Sequence, residues 1–179
     1  MSGKRDLTSG EVILALDLFQ DSIRYERIKI HNGRYFFKQP ANSGMTPNGE
    51  IYVSGAPYRN DYSAAGIRLQ AFFIHEMTHV WQYQNKILRV RLSAILGQIR
   101  HLGNYGKMYK YVLEDGKDLI EYGIEQQASI VEDYFILIKR GLQEFRGGRI
   151  QNQATTAQKR ELLTKVMTNF IADPGYPVR

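Results

Sequence analysis

Residues 72–84 read FFIHEMTHVWQYQ, two histidines and a glutamate set into a run of large apolar side chains. On a helix, His75 and His79 lie one turn apart on the same face, so two imidazoles can be directed at one ion. Glu76 falls one step round the axis, near both histidines without joining them as a ligand, which suits a group that handles a metal-bound water. Positions 67, 69, 72, 73, 74, 77, 80 and 81 are Ile, Leu, Phe, Phe, Ile, Met, Val and Trp, covering nearly every direction around the axis. A helix that is apolar all round is a buried one. Burying an unpartnered carboxylate there costs on the order of several kcal/mol, so His75, Glu76 and His79 require compensation, and a divalent cation carrying a water provides it.

The identity of the ion and its third ligand follows from what else the chain holds. There is no cysteine among the 179 residues, so disulfides and thiolate ligands are excluded and a metal must be held by His, Asp, Glu or water. Zinc in a hydrolytic site takes three protein ligands and keeps one position for water. An extended HExxHxxGxxH motif would place Gly at 82 and His at 85, but these are Gln82 and Asn85, so that solution is excluded. The remaining common solution is a glutamate from a later helix. Residues 115–141, DGKDLIEYGIEQQASIVEDYFILIKRG, supply such a helix, with Ile120, Ile124, Val131, Phe135 and Ile138 as its expected apolar stripe. Glu121, Glu125 and Glu132 project together beside that stripe. Glu125 is favoured because Ala128, one turn on, lets the helix approach closely, whereas Phe135 stands in the corresponding place beside Glu132. Glu121 stays an alternative ligand, with Glu125 then its supporting partner. His31 and His101 lack such company and are expected to be solvated.

Around these segments the chain reads as one α+β domain, 1–179, mainly helical, with a small N-terminal sheet. A hydrophobic content of 43% with 23% charged residues is ordinary for a globular chain. No apolar run reaches transmembrane length, and EVILALDLF carries Glu11 and Asp17 where a secretory signal needs an uncharged core. Residues 22–38 predict a hairpin turning at Asn32-Gly33, and EIYVSG predicts a short strand with Ile51 and Val53 on one side. Helices are expected over 8–20, 62–84, 87–102, 117–140 and 155–171, followed by a Pro- and Gly-rich tail, DPGYPVR. The net charge of +6 is concentrated in the basic segment 86–103, whose leucines and isoleucines at helical spacing make its arginines the solvated side of an amphipathic helix.

FIHEMTHVWQYQ and EQQASIVEDYF together resemble zinc metallopeptidase domains of the gluzincin kind. The likeness is strongest to the metallopeptidase effector domains attached to, or encoded beside, bacterial type VI secretion spike (valine-glycine repeat) proteins. The matching features are HExxHxxQ, completed here by Gln82, and a Glu-x-x-Ala helix beginning at Glu125; the likeness spans residues 50–135. It implies a zincin-like fold with the active-site helix beside the small sheet, His75, His79 and Glu125 as zinc ligands, and Glu76 as general base. It also implies that EIYVSG is the edge strand to which an extended peptide could add. One departure stands out: relatives often carry an aspartate four residues after the ligand glutamate to orient a zinc-bound histidine, and here that residue is Ser129.

The expected chemistry is metal-assisted amide hydrolysis, with Glu76 passing the water's proton to the leaving amine. Tyr105, Tyr109 and Tyr122 are candidates to stabilise the oxyanion, since 103–111, GNYGKMYKY, could fold over the cleft. By resemblance, the partners are a protein or peptide substrate, an immunity protein and a secretion spike, with no nucleic acid expected. Localisation is cytoplasmic in the producing cell, followed by export without a signal peptide to the target-cell periplasm or cytoplasm. A non-catalytic alternative is a basic module binding nucleic acid or an anionic surface through residues 86–110.

Overall fold

A computed structural model of the chain describes residues 3–87, 108–145 and 147–178. Four short strands, β1 (Lys4–Asp6), β2 (Lys29–Asn32), β3 (Gly44–Met45) and β4 (Ile51–Val53), form one sheet in the order β1-β2-β4-β3. β2 pairs antiparallel with β1 and parallel with β4, and β3 pairs antiparallel with β4. The described α-helices are α1 (Ser9–Phe19), α2 (Ile67–Gln84), α3 (Ile124–Glu144), α4 (Thr156–Val166) and α5 (Thr168–Ala172). The observed class is therefore α+β with a small sheet, as expected.

Alternation decides which face of the sheet is covered. Ile30, Ile51 and Val53 are buried toward the helices, while His31 and Tyr52 stack on the other face with ring centroids 4.1 Å apart. His31 is thus not a solvated residue, because its Nε2 also lies 2.6 Å from Glu50 Oε2.

The expected hairpin does not form. Asn32 and Gly33 extend the sheet instead of turning it, with Asn32 N–H donating to Gly3 O and Gly33 N–H to Val53 O, each at 2.9 Å. Residues 34–39 then fold into turns around the buried Gln39, whose Oε1 accepts from Tyr35 N–H at 2.7 Å. Phe37 is left 79% exposed, so the apolar run 35–37 is not a strand facing a core. β4 matches the expected strand EIYVSG, but it is an inner strand; the edge beside α2 is β3.

Helix boundaries follow local capping. Thr8 caps α1 reciprocally with Glu11. α2 starts at Ile67 rather than 62, because the Asp61 carboxylate accepts from Ser63 N–H and Oγ–H and holds 61–63 in a turn. The expected helix over 117–140 is interrupted: Leu119–Glu121 is a 3-10 turn capped by Asp118, and α3 begins only after Gly123. That break resets the helical phase, leaving Ile120 exposed, and Ile138 is also exposed, while Ala128, Ile130, Val131 and Phe135 are buried. The run 155–171 is divided at Met167. The expected helix over 87–102 lies outside the described residues save for Ile87.

α2 is the core of the molecule, with Ala71 and every residue from Phe73 to Gln82 buried. Ala128 is fully buried on α3. Trp81 donates from Nε1 to Pro174 O at 2.8 Å, so the tail is tied to the back of α2. No helix among the described residues is long and apolar enough to cross a membrane.

One buried charge ties β1, α1 and the loop before α2 together. Glu11, with no exposed surface, receives both Nη1–H and Nη2–H of Arg5 at 2.7 Å, Thr8 N–H at 2.9 Å and Tyr62 N–H at 2.9 Å. Removing one partner of a buried pair leaves the other uncompensated, so Glu11→Ala should lower the unfolding free energy by about 3–5 kcal/mol, read from urea denaturation.

Candidate metal centre

α2 and α3 cross so that His75 Nε2 and His79 Nε2 each lie 3.4 Å from Oε2 of Glu125. These three residues offer donor atoms that all fall within 4.8 Å of one another. Both histidines are buried and the carboxylate nearly so, with a side-chain exposure of 17%. Glu125 sits in the first turn of α3, where the unpaired N–H groups of the helix start favour a negative charge.

The far nitrogens of the two imidazoles are committed. His79 Nδ1 is 2.8 Å from Gln82 Oε1. Gln82 Nε2 donates to Ile124 O and to Gln127 Oε1, both at 2.9 Å, so the amide must turn its oxygen toward His79. His75 Nδ1 lies 3.0 Å from Glu132 Oε2, a group that accepts when ionised. In its neutral form each imidazole therefore carries its proton on Nδ1 and presents an Nε2 lone pair to Glu125.

Three acceptors facing one another repel unless a proton or cation lies among them. A gap of 3.4 Å is long for a hydrogen bond. It is close to the separation of roughly 3.3 Å expected between ligands bound at about 2.0–2.1 Å to a tetrahedral ion. Titration points the same way. Burial alone would lower the His75 pKa, but Glu125 and Glu132 outweigh it and raise it to about 10. His79 is also raised, by Glu125 against the cost of burial. For Glu125 burial works upward, yet the two imidazoles hold its carboxyl far below the usual range. The pocket thus demands positive charge, and His75, His79 and Glu125 fit a divalent cation.

Glu76, buried beside this group, receives a hydrogen bond from Thr46 Oγ–H to Oε2 at 2.7 Å. Burial pushes its carboxyl up, opposed by the neighbouring imidazoles. The edge strand runs so close that a Cβ at Gly44 would stand 2.2 Å from Glu76 Oε1 and 2.7 Å from the Phe72 ring. Only a glycine leaves that oxygen room.

The other residues singled out from sequence fall as follows. Tyr109 has its ring centroid 5.8 Å from that of His75. Tyr122 is packed in the structure, its hydroxyl accepting from Glu114 N–H at 3.0 Å and its ring lying under Lys117 Nζ. Tyr105, His101 and nearly all of the basic segment 86–110 lie outside the described residues. Glu121 is turned away to cap Asp118 N–H at 2.7 Å. Glu132 joins the site through His75 rather than as a candidate ligand, and it fills the role missing at Ser129, whose buried hydroxyl finds no partner among the described residues. Thr46 was not foreseen, because thirty positions of intervening sequence carry no periodic signal linking it to Glu76.

Because protons occupy the site when no cation does, uptake should release them. His75, raised above 6.5, adds stability to the cation-free fold below pH 6.5 that fades as the pH climbs through about 10. Metal affinity has the opposite sign and should rise with pH across that window. Calorimetric zinc titrations in buffers of different ionisation enthalpy should therefore show net proton release, and a chelator should lower the melting temperature of the loaded protein.

No family model matches the chain. The type VI secretion system spike protein VgrG2b of Pseudomonas aeruginosa is 42% identical over 134 residues, a match covering 74% of this chain and 13% of the spike protein's own length. The solved effector domain of Pseudomonas aeruginosa VgrG2b superposes with a TM-score of 0.67 at 40% identity, covering 76% of each chain. With sequence and fold agreeing over three quarters of both molecules, the chain belongs to the family of the VgrG2b effector domain.

Proposed function

We propose that residues 1–179 form one zincin-like metallopeptidase domain that hydrolyses peptide bonds and serves as a type VI secretion effector. The observation that carries this reading is the convergence of two buried imidazoles and one largely buried carboxylate, at His75 Nε2, His79 Nε2 and Glu125 Oε2, beside the carboxylate of Glu76. Zinc is the ion such a nitrogen- and oxygen-only set suits in a hydrolase. When bound, the ion supplies Lewis acidity toward a water and toward the scissile carbonyl.

The chain's own groups divide the remaining work. Glu76, its carboxyl raised by burial, takes a proton from the attacking water and delivers it to the leaving amine. Thr46 holds Oε2, and the bare backbone of Gly44 leaves Oε1 accessible for that transfer. Tyr109, beside His75, is our choice among the three tyrosines to donate to the developing oxyanion. The outer edge of β3 offers main-chain groups to which an extended substrate can add as a further strand.

Membership in the VgrG2b effector-domain family supports delivery by a secretion spike, without a signal peptide, from the cytoplasm of the producing cell. The target is then protein or cell-wall peptide in the recipient's periplasm or cytoplasm, and the producing cell would carry an immunity protein.

Glu76→Gln should keep the metal and the fold while lowering cleavage by about 10²–10⁴-fold, measured as new protein termini after target cells are exposed to each form. Undiminished cleavage by the variant would reject the mechanism. Gly44→Ala should lower turnover in the same assay without releasing the metal, because the added methyl displaces Glu76 and not the ligands.

A further inference from the structure

His75 is held from behind by a chain of charges that begins on a different part of the molecule. Glu132 and Asp133, adjacent on α3, are both buried, at 8% and 7% exposure. Two neighbouring buried carboxylates need a cation, and Arg149 supplies it. Its Nη2 donates to Glu132 Oε1 at 2.8 Å, and its Nη1 stands 2.5 Å from Glu132 Oε2 as a charge contact without hydrogen-bond geometry, so the guanidinium holds the carboxylate through one hydrogen bond and one close ion pair. Nη1 is also 3.9 Å from Asp133 Oδ1, and Tyr111 O–H donates to Asp133 Oδ2 at 2.6 Å.

Arg149 is fixed by its own backbone, independently of α3. Tyr111 N–H donates to Arg149 O at 3.1 Å and Gln151 N–H to Tyr111 O at 2.8 Å, a parallel bridge that pins 149–151 to residue 111. Ile150, 3% exposed, anchors the strap in the core. Oε2 of Glu132, the oxygen nearest Arg149 Nη1, is the same oxygen that faces His75 Nδ1 at 3.0 Å.

We propose that Arg149 is a positioning residue of the metal centre: by clamping Glu132 it fixes the ring orientation and tautomer of His75, so that Nε2 is presented to the ion. This rests on the metal-site reading above. Ser129, one turn after Glu125, makes no hydrogen bond to His75, and its hydroxyl finds no partner among the described residues. Glu132 reaches from one turn farther, and at that distance along α3 its aim depends on a clamp from outside the helix. His79 is oriented by Gln82 and does not depend on the strap. Loss of Arg149 therefore acts on one imidazole and spares the other.

The test titrates metal-free wild type, Arg149→Met, Arg149→Lys and Tyr111→Phe with zinc against a competing chelator, and records imidazole ¹⁵N spectra of the zinc-loaded proteins. Arg149→Met should bind zinc roughly 10- to 100-fold more weakly, the usual cost of losing an outer partner of a ligand. Its His75 Nδ1–H signal should shift or broaden while that of His79 stays in place. Arg149→Lys, keeping the charge but one prong, should recover part of the loss. Tyr111→Phe keeps the backbone bridge to 149–151 and loses only the hydroxyl bond to Asp133, so it should match wild type within about twofold. Unchanged affinity in Arg149→Met, or equal disturbance of both histidines, would overturn the proposal. Should Arg149→Met fail to fold, Glu132→Gln carries the same expectation, and wild-type affinity in that variant overturns it. A wild type that takes up no zinc would instead remove the metal centre itself, and this role with it.

Discussion

Three lone pairs, on Nε2 of His75, Nε2 of His79 and Oε2 of Glu125, meet where water has little access, with the carboxylate 3.4 Å from each imidazole nitrogen. The ring proton of each neutral imidazole is already spent on Gln82 or Glu132, so only an added proton or a cation can lie among them. Such an arrangement is stable only with positive charge at its centre. The crossing of α2 and α3 and the helix start just after Gly123 bring these three side chains together.

Support spreads outward from the three acceptors through separate elements. Gln82 and Gln127 join α2 to the start of α3 and the turn before it, through Ile124 O and Tyr122 O. The strap at 149–151 reaches His75 through Glu132, and the edge strand reaches Glu76 through Thr46. These contacts are made by neutral amides, a hydroxyl and one Arg–Glu ion pair, and pairing of this kind is what makes a polar cluster tolerable in a core. The same rigidity favours chemistry, since a ligand set held in place spends no reorganisation on an ion's arrival.

Much of this was legible in the sequence where periodicity carries the information. The all-round apolar pattern over 67–81 marks a buried helix, and spacing alone sets His75 and His79 on one face. Glu125 was favoured among three acids by the size of Ala128, and the structure does bring it to both histidines. Long-range polar contacts were not legible. Glu132 lies two turns beyond Glu125, on the same face, so its approach could be guessed, but its aim at Nδ1 depends on Arg149, in an irregular segment with no pattern to read. The hairpin failed for a related reason: Asn32-Gly33 is a strong local turn signal, yet ladder bonds to Gly3 and Val53 and the buried amide of Gln39 outweigh it. Tertiary hydrogen bonding overrides a local propensity worth at most about 1 kcal/mol.

On the proposed reading a divalent ion sits between α2 and α3, bound by two imidazoles and one carboxylate. Anomalous X-ray diffraction at the zinc absorption edge, from crystals of the protein grown without added chelator, would locate it. One strong peak is expected about 2.0–2.2 Å from His75 Nε2, His79 Nε2 and the Glu125 carboxylate. Ordered side chains at these three positions with no peak among them, or zinc bound only elsewhere, would contradict that reading.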